Sequence, residues 1–135
     1  MVVTVTMNPA IDKTVDVDHL ERGGLNRVTH VEQDAGGKGI NVSKTIHELG
    51  GSSVVTGFIA GNTGKMIQDV MDAWHIPSDF IEVNGQTRTN TKIFETTGEL
   101  TEVNEPGPLI TENDMEALLQ KLDHYAEPET LFVLA

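Results

Sequence analysis

Cysteine is absent from the 135 residues, which excludes disulfide scaffolds, thiolate zinc sites and cysteine nucleophiles. Cations are scarce: nine Lys and Arg stand against 21 Asp and Glu, for a formal net charge of −12. A field of that sign repels nucleic acid and anionic membrane, so neither is an expected partner. It also makes each cation informative, because an anionic ligand needs several of them gathered at one place. No apolar run approaches the ~20 residues of a membrane span, and no basic-then-apolar leader opens the sequence. The expected location is the cytoplasm. Several motifs are missing as well. Lys38 is followed by Gly39 and Lys65 by Met66, so neither completes the G-x-x-x-x-G-K-[ST] phosphate loop. The sixth position from Gly37 is Val42, which rules out G-x-G-x-x-G and leaves dinucleotide binding unsupported. The five histidines lack H-x-H or H-E-x-x-H spacing, and no metal site is expected.

What is there is an ordinary globular composition, 38% hydrophobic and 22% charged, at a length near one domain. The pattern is strands alternating with amphipathic helices. Val2–Thr6 is a β-branched strand closed by Asn8-Pro9. A helix is predicted from about Gly39 to Leu49, with Val42, Ile46 and Leu49 on one face and a stop at Gly50-Gly51. Ser53–Ala60 reads as a buried parallel strand. Ile67, Val70, Met71 and Trp74 mark a second helix that Pro77 ends, and Phe80–Val83 a short strand. Thr111 with Asp114 forms a capping box before a third helix whose stripe is Met115, Leu118, Leu119 and Leu122. These stripes are read as core. Thr130–Ala135 reads as another buried parallel strand, which makes the chain look like the front portion of a larger α/β protein.

Two regions depart from that rhythm. Residues from about 13 to 34 alternate weakly, and 87 to 104 contain a hairpin that turns at Thr97-Gly98. Polar, two-sided strands suit a small separate sheet, read here as a flap over the edge of the main one. The strongest local signal is Asp34-Ala35-Gly36-Gly37-Lys38-Gly39-Ile40-Asn41. Glycines opening a helix allow close approach to free N–H groups, which suit oxyanions and hydroxyls; Lys38 adds charge and Asn41 an amide. The competing reading is a plain flexible turn. Asp12 follows the first strand and is either an acceptor for sugar hydroxyls or a turn aspartate, and position alone does not decide. Arg27 and Arg88 lie in the flap regions, where an arginine fork clamps phosphate or is simply solvated.

Thr4–Asp12, Asn26-Arg27, Ala35–Ser43, Thr87–Lys92 and Thr101–Pro108 resemble the ribokinase-like (PfkB) carbohydrate kinases, most closely their 1-phosphofructokinase branch and next the tagatose-6-phosphate kinases. The resemblance implies a Rossmann-like α/β domain with a β-sheet lid, truncated here. It implies transfer of the ATP γ-phosphate, with Mg²⁺, to the 6-hydroxyl of fructose 1-phosphate, and a homodimer formed through the lid. By the same resemblance, Asp12, Gly36, Gly37 and Asn41 line the sugar site, while Lys38 and Arg88, joined by Arg27 across the dimer, hold the substrate phosphate. The family's catalytic Asp and nucleotide half belong downstream, so these 135 residues alone are expected to be inactive. Tagatose-6-phosphate kinase activity, a non-catalytic sugar-phosphate-binding module and a purely structural α/β fragment stand as alternatives.

Overall fold

The computed structural model describes every residue from Met1 to Ala135. In chain order the elements are β1 (Val2–Thr6), β2 (Ala10–Val17), β3 (His30–Gly36), α1 (Lys38–Glu48), β4 (Val54–Ile59), α2 (Gly61–Ala73), β5 (Ile81–Glu82), β6 (Arg88–Glu95), β7 (Leu100–Asn104), α3 (Glu112–Tyr125) and β8 (Leu131–Leu134). They form two sheets. The first runs β5-β4-β1-β8 with every pair parallel; the second runs β3-β2-β6-β7, where only β2 and β6 are parallel.

In the parallel sheet, Thr4 pairs with Val55 and Val5 with Thr56, so alternate residues face opposite sides. Val55 looks toward α1 and α2, where it packs with Ile40, Ile67, Met71 and Ile76. Val5 and Phe58 look toward Leu118 of α3. Ile67 and Met71 are fully buried, and each such side chain contributes roughly 2–3 kcal/mol. Ile11 and Ala35 of the second sheet share the first of these cores. The two sheets are thereby bonded at their base rather than merely tethered by loops.

Four details differ from the sequence reading. The weakly alternating segment begins its strand at Ala10, and Ile11, Val15 and Val17 are its buried positions. Leu49 is 82% exposed, because α1 turns Gly39, Ile40 and Ser43 inward and Leu49 is its C-cap. Leu119 is 54% exposed, since α3 buries only Leu118 fully. Finally, β8 pairs with β1 as expected but lies at the sheet edge, with Leu131 and Leu134 exposed. An edge strand has a neighbour on one side only, so burial does not follow from its apolar sequence. The capping box of α3 is present: Asp114 N–H donates to Thr111 Oγ1 at 3.1 Å and Thr111 N–H to Asp114 Oδ2 at 2.9 Å.

Candidate binding site between the two sheets

Chain geometry puts three element ends at one place. Strand β1 ends at Thr6, the chain turns through Met7-Asn8-Pro9 into β2, and α1 starts at Lys38 directly after β3. Gly37 makes that last junction. Its φ of +127° lies where side chains are strained, and a Cβ there would meet Thr6 Cγ2 at 2.6 Å. Neighbouring Gly36 leaves room for a carboxylate: a Cβ on it would fall 2.1 Å from Asp12 Oδ2.

These ends enclose a hollow of about 350 Å³ lined by residues from both sheets and α1, among them Asp12, Gly37, Lys38, Asn41 and Arg88. Five of the seven residues expected in a site are therefore brought together, and Gly36 abuts Asp12 behind them. Arg27 does not line the hollow; it is exposed on the loop between β2 and β3. Asp12 lies on β2, opposite Asp34 of β3 and Asn90 of β6, rather than in a turn.

The electrostatics favour an anion with hydroxyls. Neither Lys38 nor Arg88 has a carboxylate within ion-pair distance, whereas Lys44, Lys65 and Lys121 are paired with Asp34, Asp69 and Asp79. Helix α1 has no acidic residue in its first turn and no side-chain cap at Gly37, so its leading N–H groups and positive dipole end stay available. Arg88 Nη2 donates to Asn8 O at 3.0 Å, which fixes the guanidinium at the rim.

Three buried side-chain polar atoms lack any partner: Thr6 Oγ1, Arg88 Nε and Asn90 Oδ1. All three residues line this one hollow. An unsatisfied buried donor or acceptor costs about 1–3 kcal/mol, and a polar ligand in the hollow would offer partners to all three. Sequence reasoning missed Thr6 and Asn90. The period-2 alternation of β6 was the available signal, since it sets Arg88, Asn90 and Lys92 on one face.

A larger cavity of about 470 Å³ lies at the start of α2, lined by Ile59, Ala60, Gly61, Asn62 and Lys65 among others. It contains none of the unpartnered atoms, and Lys65 is paired with Asp69 at 3.3 Å. The two groups with shifted pKa values, Asp79 and Tyr125, belong to the other end of the parallel strands, where Ser78 bridges to Val55. They tie the β4–β5 connection to α3 and take no part in the hollow. No cluster of three or more His, Asp or Glu side chains could hold a metal ion, and no helix is long and apolar enough to cross a membrane.

A parallel α/β sheet with a second sheet over its strand ends, and a polar hollow between them lined by Lys38 and Arg88, defines a two-sheet α/β protein with a candidate site at that junction. A profile of the pfkB family carbohydrate kinases matches residues 5–135, and the chain belongs to that family. It is 37% identical to a 1-phosphofructokinase of Vibrio cholerae over 99% of this chain and 42% of that protein. With a 1-phosphofructokinase of Bacillus subtilis the identity is 38%, over 100% and 44%. Among solved structures, a provisionally assigned phosphofructokinase from Staphylococcus aureus superposes with a TM-score of 0.93 at 41% identity, covering all of this chain and 43% of that one. Phosphofructokinase-2 from Escherichia coli, in complex with fructose-6-phosphate, gives 0.91 at 25% identity, over 99% and 44%. The chain thus spans less than half the length of the relatives it matches. Its fold is the ribokinase-like α/β arrangement.

Proposed function

We propose that this chain is the sugar-phosphate-binding part of a kinase that converts fructose 1-phosphate and ATP to fructose 1,6-bisphosphate and ADP. The observation that carries the reading is the set of three unpartnered buried polar atoms around one hollow that also holds Lys38, Arg88 and the start of α1. A phosphorylated ketose offers what that set lacks: a dianion for Lys38 and Arg88, and hydroxyls for Asp12, Asn41 and the N–H groups after Gly36 and Gly37. The similarity to 1-phosphofructokinases favours fructose 1-phosphate. Tagatose 6-phosphate is the second substrate to compare, and a binding module without catalysis the second class.

In this scheme the chain's residues bind and orient the sugar. The 6-hydroxyl oxygen attacks the γ-phosphorus, the bond to the β-phosphate oxygen breaks, and the hydroxyl proton passes to an aspartate outside these residues. Phosphoryl transfer depends on holding nucleophile and nucleotide in line. The family resemblance implies ATP with Mg²⁺, and no group of three or more His, Asp or Glu side chains here could hold that metal. No step is therefore assigned to this chain at the nucleotide end, and the isolated 135 residues are expected to be inactive. Turnover by the purified fragment, free of host kinase, would refute that.

The test is kinetic and uses the full-length protein. Arg88→Ala is expected to raise the KM for fructose 1-phosphate about 10- to 100-fold, the range for losing a charge-assisted hydrogen bond, with the KM for ATP little changed. An unchanged sugar KM removes Arg88 from the site. Comparing kcat/KM for fructose 1-phosphate and tagatose 6-phosphate decides between the two sugars. Binding of either without turnover favours the non-catalytic module.

The partner proposed for the assembled protein is a second copy, docked through the lid formed by β2, β3, β6 and β7, where Val31, Phe94, Leu100 and Val103 are exposed. In that arrangement Arg27 of the intervening loop joins the neighbouring site. Arg27→Ala is then expected to weaken sugar-phosphate binding, although the residue lies outside its own hollow.

A further inference from the structure

We infer that Asn90 is a specificity-determining residue, whose carboxamide reads a sugar hydroxyl beside Asp12. The inference rests on the sugar-phosphate reading above and deepens it. Asn90 pairs in register with Asp12 across the parallel β2–β6 ladder, so the two side chains stand on the same face about 4.8 Å apart. That separation suits two adjacent hydroxyls of one ring, each donating to one of the pair. Arg88 is two residues back on the same strand, about 6.6 Å away along it. Strand β6 therefore presents a phosphate ligand and a hydroxyl ligand in the order a sugar phosphate carries them.

The chemistry at position 90 also points to a neutral reader. Asp34, Asp12, Asn90 and Asn104 form one row across the second sheet. A third carboxylate in that row would add repulsion beside Asp12 and oppose the incoming phosphate. A carboxamide supplies an acceptor without the charge.

A structural role leaves a different mark. Asn90 Oδ1 is buried, lines the hollow and has no partner in the protein, so it contributes nothing to folding through hydrogen bonding. Removing an unsatisfied buried group is neutral or stabilising. Asn90→Ala is therefore expected to keep or raise the melting temperature of the full-length protein while it lowers kcat/KM for fructose 1-phosphate about 10- to 100-fold. The KM for ATP stays put.

The deciding measurement compares fructose 1-phosphate with its 3-deoxy and 4-deoxy analogues in both proteins. The unmodified protein is expected to turn over one analogue at least 10-fold less efficiently, as a site built to bind a hydroxyl should, and Asn90→Ala is expected to abolish that discrimination. Equal discrimination in both proteins overturns the role of Asn90 alone. Absence of ketose-phosphate turnover in the unmodified protein overturns the reading of the whole site, and this inference with it. Asn90→Leu, which keeps the volume and removes the polar atoms, repeats the comparison should the alanine variant fold poorly.

Discussion

At the scale of single residues, the site depends on what two glycines leave out as much as on the side chains present. Gly37 combines a φ of +127° with a neighbour, Thr6 Cγ2, only 2.6 Å from where a Cβ would lie. Gly37→Ala is expected to destabilise the protein by about 2 kcal/mol through backbone strain and to weaken sugar-phosphate binding as well, read by thermal denaturation and by sugar KM. A drop in stability with unchanged KM would mean the junction supports the fold without shaping the hollow. Much of this was legible in the sequence: Gly36, Gly37, Lys38, Gly39 and Asn41 fall in one short run, and Arg88 stands out because cations are scarce, nine against 21 acidic residues. Thr6 and Asn90 were not, because a threonine at a strand end and an asparagine in a polar strand have ordinary reasons to be there. Only burial without a partner separates them from the rest.

At the scale of elements, α3 shows why a helix can be foreseen while its attachment cannot. Its capping box and apolar spacing were readable, yet the helix buries only Leu118 fully. Much of its placement comes from Asp79, which accepts hydrogen bonds from Lys121 Nζ and from Tyr125 Oη at 2.8 Å. Asp79 lies 42 and 46 residues from these two partners, so the sequence carries no signal of the contact. Partial burial pushes the Asp79 carboxyl up, but the hydrogen bonds from Lys121 and Tyr125 outweigh it and hold its pKa below the ordinary 3.8. Burial, with the hydrogen bond to Asp79, raises that of Tyr125 above 10.0. The signs set a window. The contribution of Asp79 is complete above pH 3.8 and is lost as pH falls through its lowered folded value. That of Tyr125 is complete below pH 10.0 and is lost as pH rises through its raised value. Asp79→Asn is accordingly expected to lower stability at neutral pH, by less than about 1 kcal/mol given a side chain 40% exposed to screening solvent. The deficit should shrink toward zero in strong acid, as urea titrations at several pH values would report. A deficit constant with pH would assign the tether to packing alone.

At the scale of the whole molecule, the alternation of strands and helices gave away the parallel sheet, while the extent of the second sheet was harder to see. Its strand β2 starts at Ala10, with only Met7, Asn8 and Pro9 between it and β1, and Lys13 interrupts the alternation that Ile11, Val15 and Val17 would otherwise display. The exposed apolar residues of that sheet, with Phe94 paired to Leu100, lead to a prediction for the assembled protein. Phe94→Asp combined with Leu100→Asp is expected to shift full-length protein from dimer toward monomer in light-scattering measurements; an unaltered mass would place any self-association elsewhere.

The short step between β1 and β2 has a mechanical result. Asp12, Arg88 and Asn90 ride on one sheet, whereas Lys38 and Asn41 ride on the helix packed against the other. A molecule gripped from both sides acts as a cross-brace, and the stiffness it lends to the joint is drawn from its own affinity. Substitutions that loosen or lock the Met7–Pro9 bend would then change how tightly the occupant is held without touching it.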